Sequence, residues 1–355
     1  MSGPLSSTAR VMEHLSHSSF ELSAGTKRRR LSDRICRQND IWDYRLGSLF
    51  WNSGFERFKR LVPRLKGGLG NQLFIYASSI ELGQRLDMPV LFDTTSAFRS
   101  DPFGRTFALA DLGITIANAS SIESFSVPGG DFLRRLLHHR ECRRPVEERH
   151  YIYQGADSGC GMLECQQQRR WLYLDGYWQD YNFFHRNHPA FTRLIRQARE
   201  RNASELRGWH EARSVGVHVR QRIGYGASGR AVFNATGMLA MDYYVAALRE
   251  VFRCTPFQAV KLFGDDLAFR QELASLIRSL FGISTEIMEG STAAVDLLQM
   301  SSCNALVLSN STLAWWAGYL NTTASQIIHP GVDIGGGPFW TPSIWHILPP
   351  SKCCS

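Results

Sequence analysis

The chain of 355 residues is 44% hydrophobic and 12% aromatic, values typical of a folded globular protein and too high for a disordered one. No stretch approaches the roughly 18 consecutive apolar residues that a membrane-spanning helix needs, which excludes a multi-span membrane protein. The net charge is +8, but 13 Lys/Arg against six Asp/Glu place +7 of it in residues 1–66. The remaining chain is nearly neutral, so a nucleic-acid partner is not expected.

Composition divides the chain into four segments. Residues 1–61 are a basic, Ser-rich extension; a disordered tail, a nuclear signal and the cytosolic flank of a lost anchor all remain open for it. Residues 62–210 and 211–348 each alternate between strand and helix patterns, which predicts two α/β domains. Residues 349–355 form a tail.

Cysteines and glycosylation sequons bear on the compartment. Eight cysteines are scattered without paired zinc spacing, and their even number permits disulfides without establishing them. Five Asn-x-Ser/Thr sequons favour secretion, yet residues 1–25 lack the apolar core of a signal peptide. The sequons begin at Asn118, Asn202, Asn234, Asn310 and Asn321.

The first half opens with a βαβ unit, the building block of a parallel sheet. Residues 61–65 are predicted as a strand, 67–71 as a tight glycine loop, 72–86 as a helix and 89–93 as a buried strand. A less regular region follows at 120–210.

The second half repeats this alternation, so a second parallel sheet covered by helices is expected. Trp315 and Trp316, in its last helix, are expected in the core. Its predicted strands are 214–219, 259–263, 305–308 and 326–330, and its predicted helices are 241–252, 267–281, 294–300 and 312–320.

The glycine loop is the first candidate site. Gly67, Gly68 and Gly70 lie between a strand and a helix, where a bare backbone can approach a ligand and direct amide groups at an anion. Leu73 occupies the position of the third glycine of a dinucleotide fingerprint, so that fingerprint fails. A tight turn without a ligand remains the alternative.

His218 and Arg220 are the second candidate. Two residues apart on a strand, their side chains point to the same side near its carboxyl end, where open α/β sheets bind ligands. An arginine fork there suits a diphosphate. The alternative is an arginine paired with a surface carboxylate beside a buried, hydrogen-bonded histidine.

Two further strand–helix junctions carry polar residues. Ser311 and Thr312 can cap a helix whose N-terminal amides hold phosphate. Asp265 and Asp266 follow another strand, where a carboxylate can accept from a ribose hydroxyl or a guanine N–H. Helix capping alone is the alternative at both junctions.

Six motifs follow one another along the chain. They are Gly-Gly-Leu-Gly-Asn-Gln-Leu-Phe-x-Tyr-Ala at 67–77, His218-x-Arg220, Asp242-Tyr243-Tyr244, Phe263-Gly264-Asp265-Asp266, Asp296-Leu297-x-x-Met300-Ser301-x-Cys303 and Ser309-Asn310-Ser311-Thr312-Leu313-x-Trp315-Trp316-Ala317. In this order, over about residues 62–348, they closely resemble the α-1,2-fucosyltransferase family, glycosyltransferase family 11. Its members move L-fucose from GDP-fucose to O2 of a terminal galactose with inversion and without a catalytic metal. No Asp-x-Asp metal motif occurs in this chain.

The resemblance implies an α/β, GT-B-like fold in which two Rossmann-like domains face across a cleft, the first on the acceptor side and the second on the GDP-fucose side. Arg220 would neutralise the departing β-phosphate, with His218 as a second catalytic residue. Ser311 and Thr312 would bind the same phosphates. The other implied binding residues are Asp265 or Asp266 for guanine or ribose, Asn71 with its glycine loop (Gly67, Gly68, Gly70) closing the cleft, and Asn310, shielded in the phosphate-binding junction.

One position departs from the family pattern. The family's His-x-Arg-Arg-Gly-Asp-Tyr reads His-Val-Arg-Gln-Arg-Ile-Gly-Tyr at 218–225, so Ile223 stands at the aspartate position. A role for that aspartate, in orienting Arg220 or as a base, does not carry over. Asp180 and Asp242 are the candidate substitutes.

Three alternatives remain open: a related fucosyltransferase with another acceptor, such as a protein O-fucosyltransferase; a transferase of another deoxyhexose; and an inactive protein that still binds the GDP-sugar. The expected partners are GDP-fucose and a galactose-terminated glycan, with membrane association only through a missing or partner-supplied anchor. No cofactor is expected. Localisation stays between a eukaryotic Golgi membrane or lumen and a bacterial cytoplasm.

Overall fold

Two parallel β-sheets with helices packed beside them make up the described part of the protein, which confirms the α/β class. The computed structural model describes residues 59–145, 148–153, 171–204, 206, 213–221, 238–289, 292–332 and 341–349. The strands are β1 (Arg60–Pro63), β2 (Tyr151–Tyr153), β3 (Trp171–Asp175), β4 (Ser214–Val219), β5 (Ala259–Gly264), β6 (Ser284–Ile287), β7 (Ala305–Val307), β8 (Ile327–His329) and β9 (His346–Ile347). The helices are α1 (Leu69–Leu86), α2 (Gly130–Glu141), α3 (Tyr181–Phe184), α4 (His188–Arg201), α5 (Met241–Cys254), α6 (Leu267–Phe281), α7 (Ala293–Met300) and α8 (Thr312–Tyr319).

The first sheet has the strand order β1-β3-β2, all parallel. Beside β1, the segment predicted as a strand at 89–93 makes isolated parallel bridges rather than a full ladder, pairing Val90 with Leu61 and Asp93 with Arg64. Its hydrogen bonds nevertheless continue the sheet: Leu61 N donates to Pro89 O at 2.8 Å and Leu91 N donates to Leu61 O at 2.9 Å. The sheet therefore extends one segment beyond its named strands.

The second sheet has the order β6-β5-β4-β7-β8-β9, again all parallel. Counted from β4, this is the doubly wound order 3-2-1-4-5-6, in which chain direction across the sheet reverses between β4 and β7. All six residues of β4 are buried, as expected of a central strand covered on both faces, and two of them, Ser214 and His218, are polar. The two parallel sheets agree with the GT-B-like expectation.

Several element bounds differ from the predictions. β1 begins at Arg60, inside the segment predicted as extension, and α1 begins at Leu69, so Gly70 and Asn71 lie in a helix rather than in a loop. The region predicted as less regular contains α2, β2, β3, α3 and α4. β6 and β9 were not predicted, since β6 alternates exposed and half-buried residues and β9 has two exposed ones.

An aromatic core joins the two halves. Phe74 of α1 packs against Trp315 and Trp316 of α8, with ring centroids 4.7 and 5.1 Å apart, and Phe184 of α3 stacks on Trp316 at 5.5 Å. All four rings are buried, which confirms the core position predicted for both tryptophans. Large buried aromatic rings dominate the energy of such interfaces, so α1 and α8 are held in fixed contact.

Three observations complete the description. No helix among the described residues has the length and apolarity needed to cross a membrane. Cys142 and Cys303 are free thiols. Ile223, the Asn234 sequon and the extension before residue 59 lie outside the described residues.

Candidate functional site

The switch point of the second sheet brings two of the predicted motifs together. β4 pairs with β7 in parallel, with Val217 opposite Val307. The two strands end close to this pair: Arg220 directly follows β4, and Ser309 and Asn310 follow β7 after one further residue. Ligands of open α/β sheets bind at such a point, outside the carboxyl ends of the strands where the order reverses.

His218 lies beneath this point. Its side chain is 4% exposed, and its Nδ1 lies 2.7 Å from Oγ of Ser309, a hydrogen bond that joins β4 to the segment after β7. Burial, together with the charges of Arg220 and Arg270, lowers the pKa of His218 to about 3. The imidazole is therefore neutral, and its observed contact is with the hydroxyl of Ser309.

Asp265 holds Arg220. Oδ2 of Asp265 lies 2.8 Å from Nη1 of Arg220, and its Oδ1 accepts from Gln221 N at 3.0 Å. Gly264 makes this turn possible: its φ is +125°, and a Cβ there would lie 1.9 Å from Val219 O. The ion pair fixes the position of the Arg220 guanidinium, and together with the buried, hydrogen-bonded His218 it matches the alternative interpretation of these two residues, an arginine paired with a carboxylate beside a buried histidine.

Asp266 and Ser311 are both observed as helix caps. Asp266 Oδ1 accepts from Phe269 N at 2.9 Å at the start of α6. Ser311 Oγ accepts from Leu313 N at 3.3 Å at the start of α8. Each cap satisfies one of the amides that a helix leaves unpaired at its N-terminus, so the capping alternative holds for both residues.

The N-terminus of α8 meets the glycine loop (residues 67–71), whose last three residues form the first turn of α1. A Cβ on Gly70 would lie 2.5 Å from Leu313 N and 2.7 Å from Thr312 Oγ1, so only glycine allows this approach. Gly68, by contrast, has open space where its Cβ would be. We refer to this meeting of the glycine loop, the α8 N-terminus and the ends of β4 and β5 as the junction.

Asn71 and Asn310 occupy different surroundings at the junction. Asn71 Oδ1 accepts from Gln179 Nε2 at 3.0 Å, which ties the start of α1 to the segment after β3. Asn310 is buried, as predicted for a residue shielded within the junction. Thr312 is half-buried beside Gly70.

Gln72 is a structural residue that the sequence reasoning missed. Its buried side chain donates to Gly67 O and Thr106 O, both at 2.9 Å, and accepts from Ala108 N at 2.9 Å. These three bonds fix the glycine loop, whose Gly67 has a φ of +75°, to residues 106–108. A glutamine on the apolar face of a predicted helix was the feature that could have identified it.

Arg105 is a second residue that was missed. Asp101 Oδ1 accepts from its backbone N at 3.1 Å. Burial lowers the pKa of Arg105, the Asp101 carboxylate opposes this effect, and the positive charge of Arg220 adds to it. The first half of the chain therefore brings a second arginine into electrostatic range of Arg220.

Asp180 and Asp242, the candidate substitutes for the family aspartate, both lie at helix N-termini. Asp180 Oδ1 accepts from Asn182 N at 3.0 Å as the cap of α3, while Asp242 is exposed in the first turn of α5. Among the described residues no three His, Cys, Asp or Glu side chains are grouped as a metal site would require.

The model of the glycosyl transferase family 11 matches residues 141–331. The chain belongs to this family. The matched range contains β4, β5 and β7 and therefore the motifs that meet at the switch point.

Individual relatives share 14–30% sequence identity with this chain. The O-antigen biosynthesis glycosyltransferase WbnK of Escherichia coli is 30% identical over 92 residues, 26% of this chain and 30% of that protein's length. An α-1,2-colitosyltransferase of the same species is 23% identical over 274 residues, covering 73% of this chain and 87% of its own. A solved structure of an Arabidopsis thaliana FUT1 mutant with GDP is 14% identical, with a TM-score of 0.48 over 82% of this chain and 76% of its own.

Proposed function

We propose that this family 11 glycosyltransferase moves L-fucose from GDP-fucose to O2 of a terminal galactose, with inversion at the sugar. The observation that carries the proposal is the switch point, where β4, followed by Arg220 in its ion pair with Asp265, lies beside β7, followed by the capped N-terminus of α8. Family membership supports glycosyl transfer, and this arrangement of a cation beside helix amides suits a diphosphate leaving group.

In the proposed reaction, the bond between fucose C1 and the β-phosphate oxygen breaks and its electron pair leaves with GDP. The galactose O2 forms the new bond to C1 from the opposite face, and its proton passes to a base or to solvent. Negative charge grows on the diphosphate as the sugar becomes oxocarbenium-like. Preorganised donors at that position can lower the barrier by several kcal/mol.

The proposed roles follow from the contacts. Arg220 and the amides of α8 bind the phosphates, and Arg105 adds positive charge from the first half of the chain. Asp265 and His218 position these groups, since one pairs with Arg220 and the other bonds Ser309. We propose that these residues balance the leaving-group charge without a metal ion, so EDTA is expected to leave turnover unchanged.

The name of the colitosyltransferase relative suggests a second candidate donor. Colitose is a deoxy analogue of L-fucose, and a site that binds the missing hydroxyl through buried polar groups discriminates strongly against the analogue. A site lacking such groups would accept both sugars. Comparing the two GDP-sugars at equal concentration therefore distinguishes the candidates.

Labelled GDP-fucose, a small panel of galactosides and linkage analysis of the product test the proposal. We expect transfer that yields a 2-linked α-fucoside. Stabilisation by GDP without transfer from either GDP-sugar would instead indicate an inactive binding protein. Preferential transfer from GDP-colitose would assign the enzyme to the second candidate donor.

A further inference from the structure

The turn between β7 and α8, residues 308–311, is buried and carries polar groups that need partners. Leu308 and Ser309 are completely buried in it. A buried carbonyl or hydroxyl without a hydrogen bond costs free energy, so its partner must come from a neighbouring element. Ser311, the last residue of the turn, caps the helix whose N-terminal amides are proposed to bind the phosphates. The position of those amides therefore depends on what holds the turn.

Tyr243, in the first turn of α5, holds the beginning of this turn. Its hydroxyl donates to the carbonyl of Leu308 at 2.7 Å, and the amide of Leu308 donates to Ile328 O of β8 at 2.8 Å. Burial raises the pKa of Tyr243 well above its usual value, so the hydroxyl keeps the proton that it donates. Leu308 is thus fixed by one bond from the sheet and one from α5.

His218 of β4 holds the next residue of the turn. Its Nδ1 lies 2.7 Å from Ser309 Oγ, so two consecutive residues are bonded to side chains from two different elements. Both side chains belong to motifs that the sequence places in one order, His218-x-Arg220 and Asp242-Tyr243-Tyr244. The proposed reaction assigns no role to the second of these motifs.

We propose that Tyr243 is a positioning residue: through the Leu308 carbonyl it fixes the turn, and with it the amides of α8, in the arrangement that binds the diphosphate. Tyr243 is only 2% exposed, so it acts through the turn and not by contact with the nucleotide. Donors fixed in advance need no rearrangement when charge arrives, and losing the bond should therefore weaken phosphate binding. This inference rests on the proposed function, because it concerns the phosphate site of that same reaction.

Tyr243→Phe tests the role, because it removes the hydroxyl and keeps the buried ring. Calorimetric titrations with GDP and with guanosine separate the phosphates from the base and ribose. We expect the affinity for GDP to fall about fivefold and the affinity for guanosine to stay the same, since one buried hydrogen bond is lost on the phosphate side. A variant that is less stable but keeps the parent's preference for GDP would reveal a purely structural role and overturn the inference.

Tyr319→Phe is the matched control. Tyr319 is the last residue of α8, is 7% exposed, and has a hydroxyl without a hydrogen bond to any residue that the structure describes. The same chemical change there should leave the preference for GDP over guanosine as it is in the parent. Equal losses in Tyr319→Phe and Tyr243→Phe would contradict a specific role for the Tyr243 hydroxyl.

Hydrogen exchange measures the turn itself, without any ligand. The backbone amides of Leu308 and Trp315 are hydrogen-bonded in the structure, and in Tyr243→Phe they should exchange about tenfold faster than in the parent. Tyr319→Phe should leave the exchange of Leu308 unchanged. Exchange rates that are the same in the parent and in Tyr243→Phe would show that this bond does not fix the turn.

Failure of the proposed function is detected separately. A parent that binds GDP but transfers fucose to no acceptor refutes the transfer proposal, and the titrations of Tyr243→Phe still decide the positioning role. A parent that transfers fucose, together with a Tyr243→Phe variant that binds GDP equally well, refutes the inference alone. A parent that does not bind GDP refutes both.

Discussion

Arg220 is oriented by a carboxylate from the neighbouring strand rather than from its own segment. In the family pattern an aspartate follows the arginine closely, whereas this chain has Ile223 there. The observed contact that orients Arg220 is its ion pair with Asp265, which follows β5. Because the ion pair fixes the guanidinium, its remaining N–H donors need no reorganisation to stabilise a developing negative charge.

Alanine substitutions at Gly70 and Gly68 test the close contact between α1 and α8, because only one of the two glycines makes it. Gly70→Ala is expected to cost about 1–3 kcal/mol of unfolding free energy, because the new Cβ would overlap Thr312 and Leu313. Gly68→Ala is expected to stay within about 0.5 kcal/mol, since its φ of −73° suits alanine and the space is open. Denaturant unfolding measures both, and equal stability of the two variants would show that the glycine loop does not contact α8 so closely.

Two buried histidines predict a pH dependence. Burial lowers the pKa of both His218 and His329 to about 3, whereas the unfolded chain binds protons near pH 6.5. Acid therefore favours the unfolded state, and stability should fall by roughly 1 kcal/mol per pH unit for each histidine as pH decreases from about 6.5 to 5. Unfolding titrations across this range measure the slope.

One variant on β8 and one control variant on β9 assign this slope to a residue. His329→Asn keeps an acceptor for Gly331 N, which donates to His329 Nδ1 at 2.9 Å, and should remove about half of the slope. His346→Asn changes an exposed histidine and should leave the slope as it is. A His329→Asn variant with the full slope would contradict the assignment.

At the scale of elements, the N-termini of α6 and α8 have the same local chemistry and different surroundings. Both are capped by a side-chain oxygen, from Asp266 in one case and Ser311 in the other. The α8 terminus lies at the switch point and touches the glycine loop of the first half. The dipole and free amides of α8 therefore point to where the diphosphate is proposed to bind.

Removing each cap separates structure from function. Ser311→Ala and Asp266→Ala should each lower the unfolding free energy by about 1 kcal/mol, the usual cost of a lost cap. Only Ser311→Ala should also weaken GDP binding, by about tenfold, because its helix faces the proposed phosphates. Calorimetry of both variants with GDP measures this, and equal affinities would argue against a role for α8 in phosphate binding.

At the scale of the whole molecule, the sequence predicted the elements whose own residues determine them. The strands β4, β5, β7 and β8 are apolar runs that form at or near the predicted positions. The edge strands β6 and β9 escaped prediction because they are short and partly exposed, and they form by pairing with β5 and β8. Local pattern carries little information about such edges.

The junction was predicted only in part, for a related reason. The residue types and their places at strand ends follow from the sequence, and so does the capping alternative for Asp266 and Ser311. The contact of Gly70 with Thr312 and the pairing of Asp265 with Arg220 depend on tertiary packing between distant segments. That packing also explains why α1 begins before the predicted residue, since tertiary contacts override the low helix propensity of glycine.

The most direct test of the central claim compares GDP with GMP in calorimetric titrations of the parent protein and Arg220→Ala. If Arg220 binds the outer phosphate, the parent should bind GDP about tenfold to a hundredfold more tightly than GMP, and the variant should lose this difference while its affinity for GMP stays the same. Fucose transfer by the variant should fall with it. An Arg220→Ala protein that keeps the parent's preference for GDP would contradict the account.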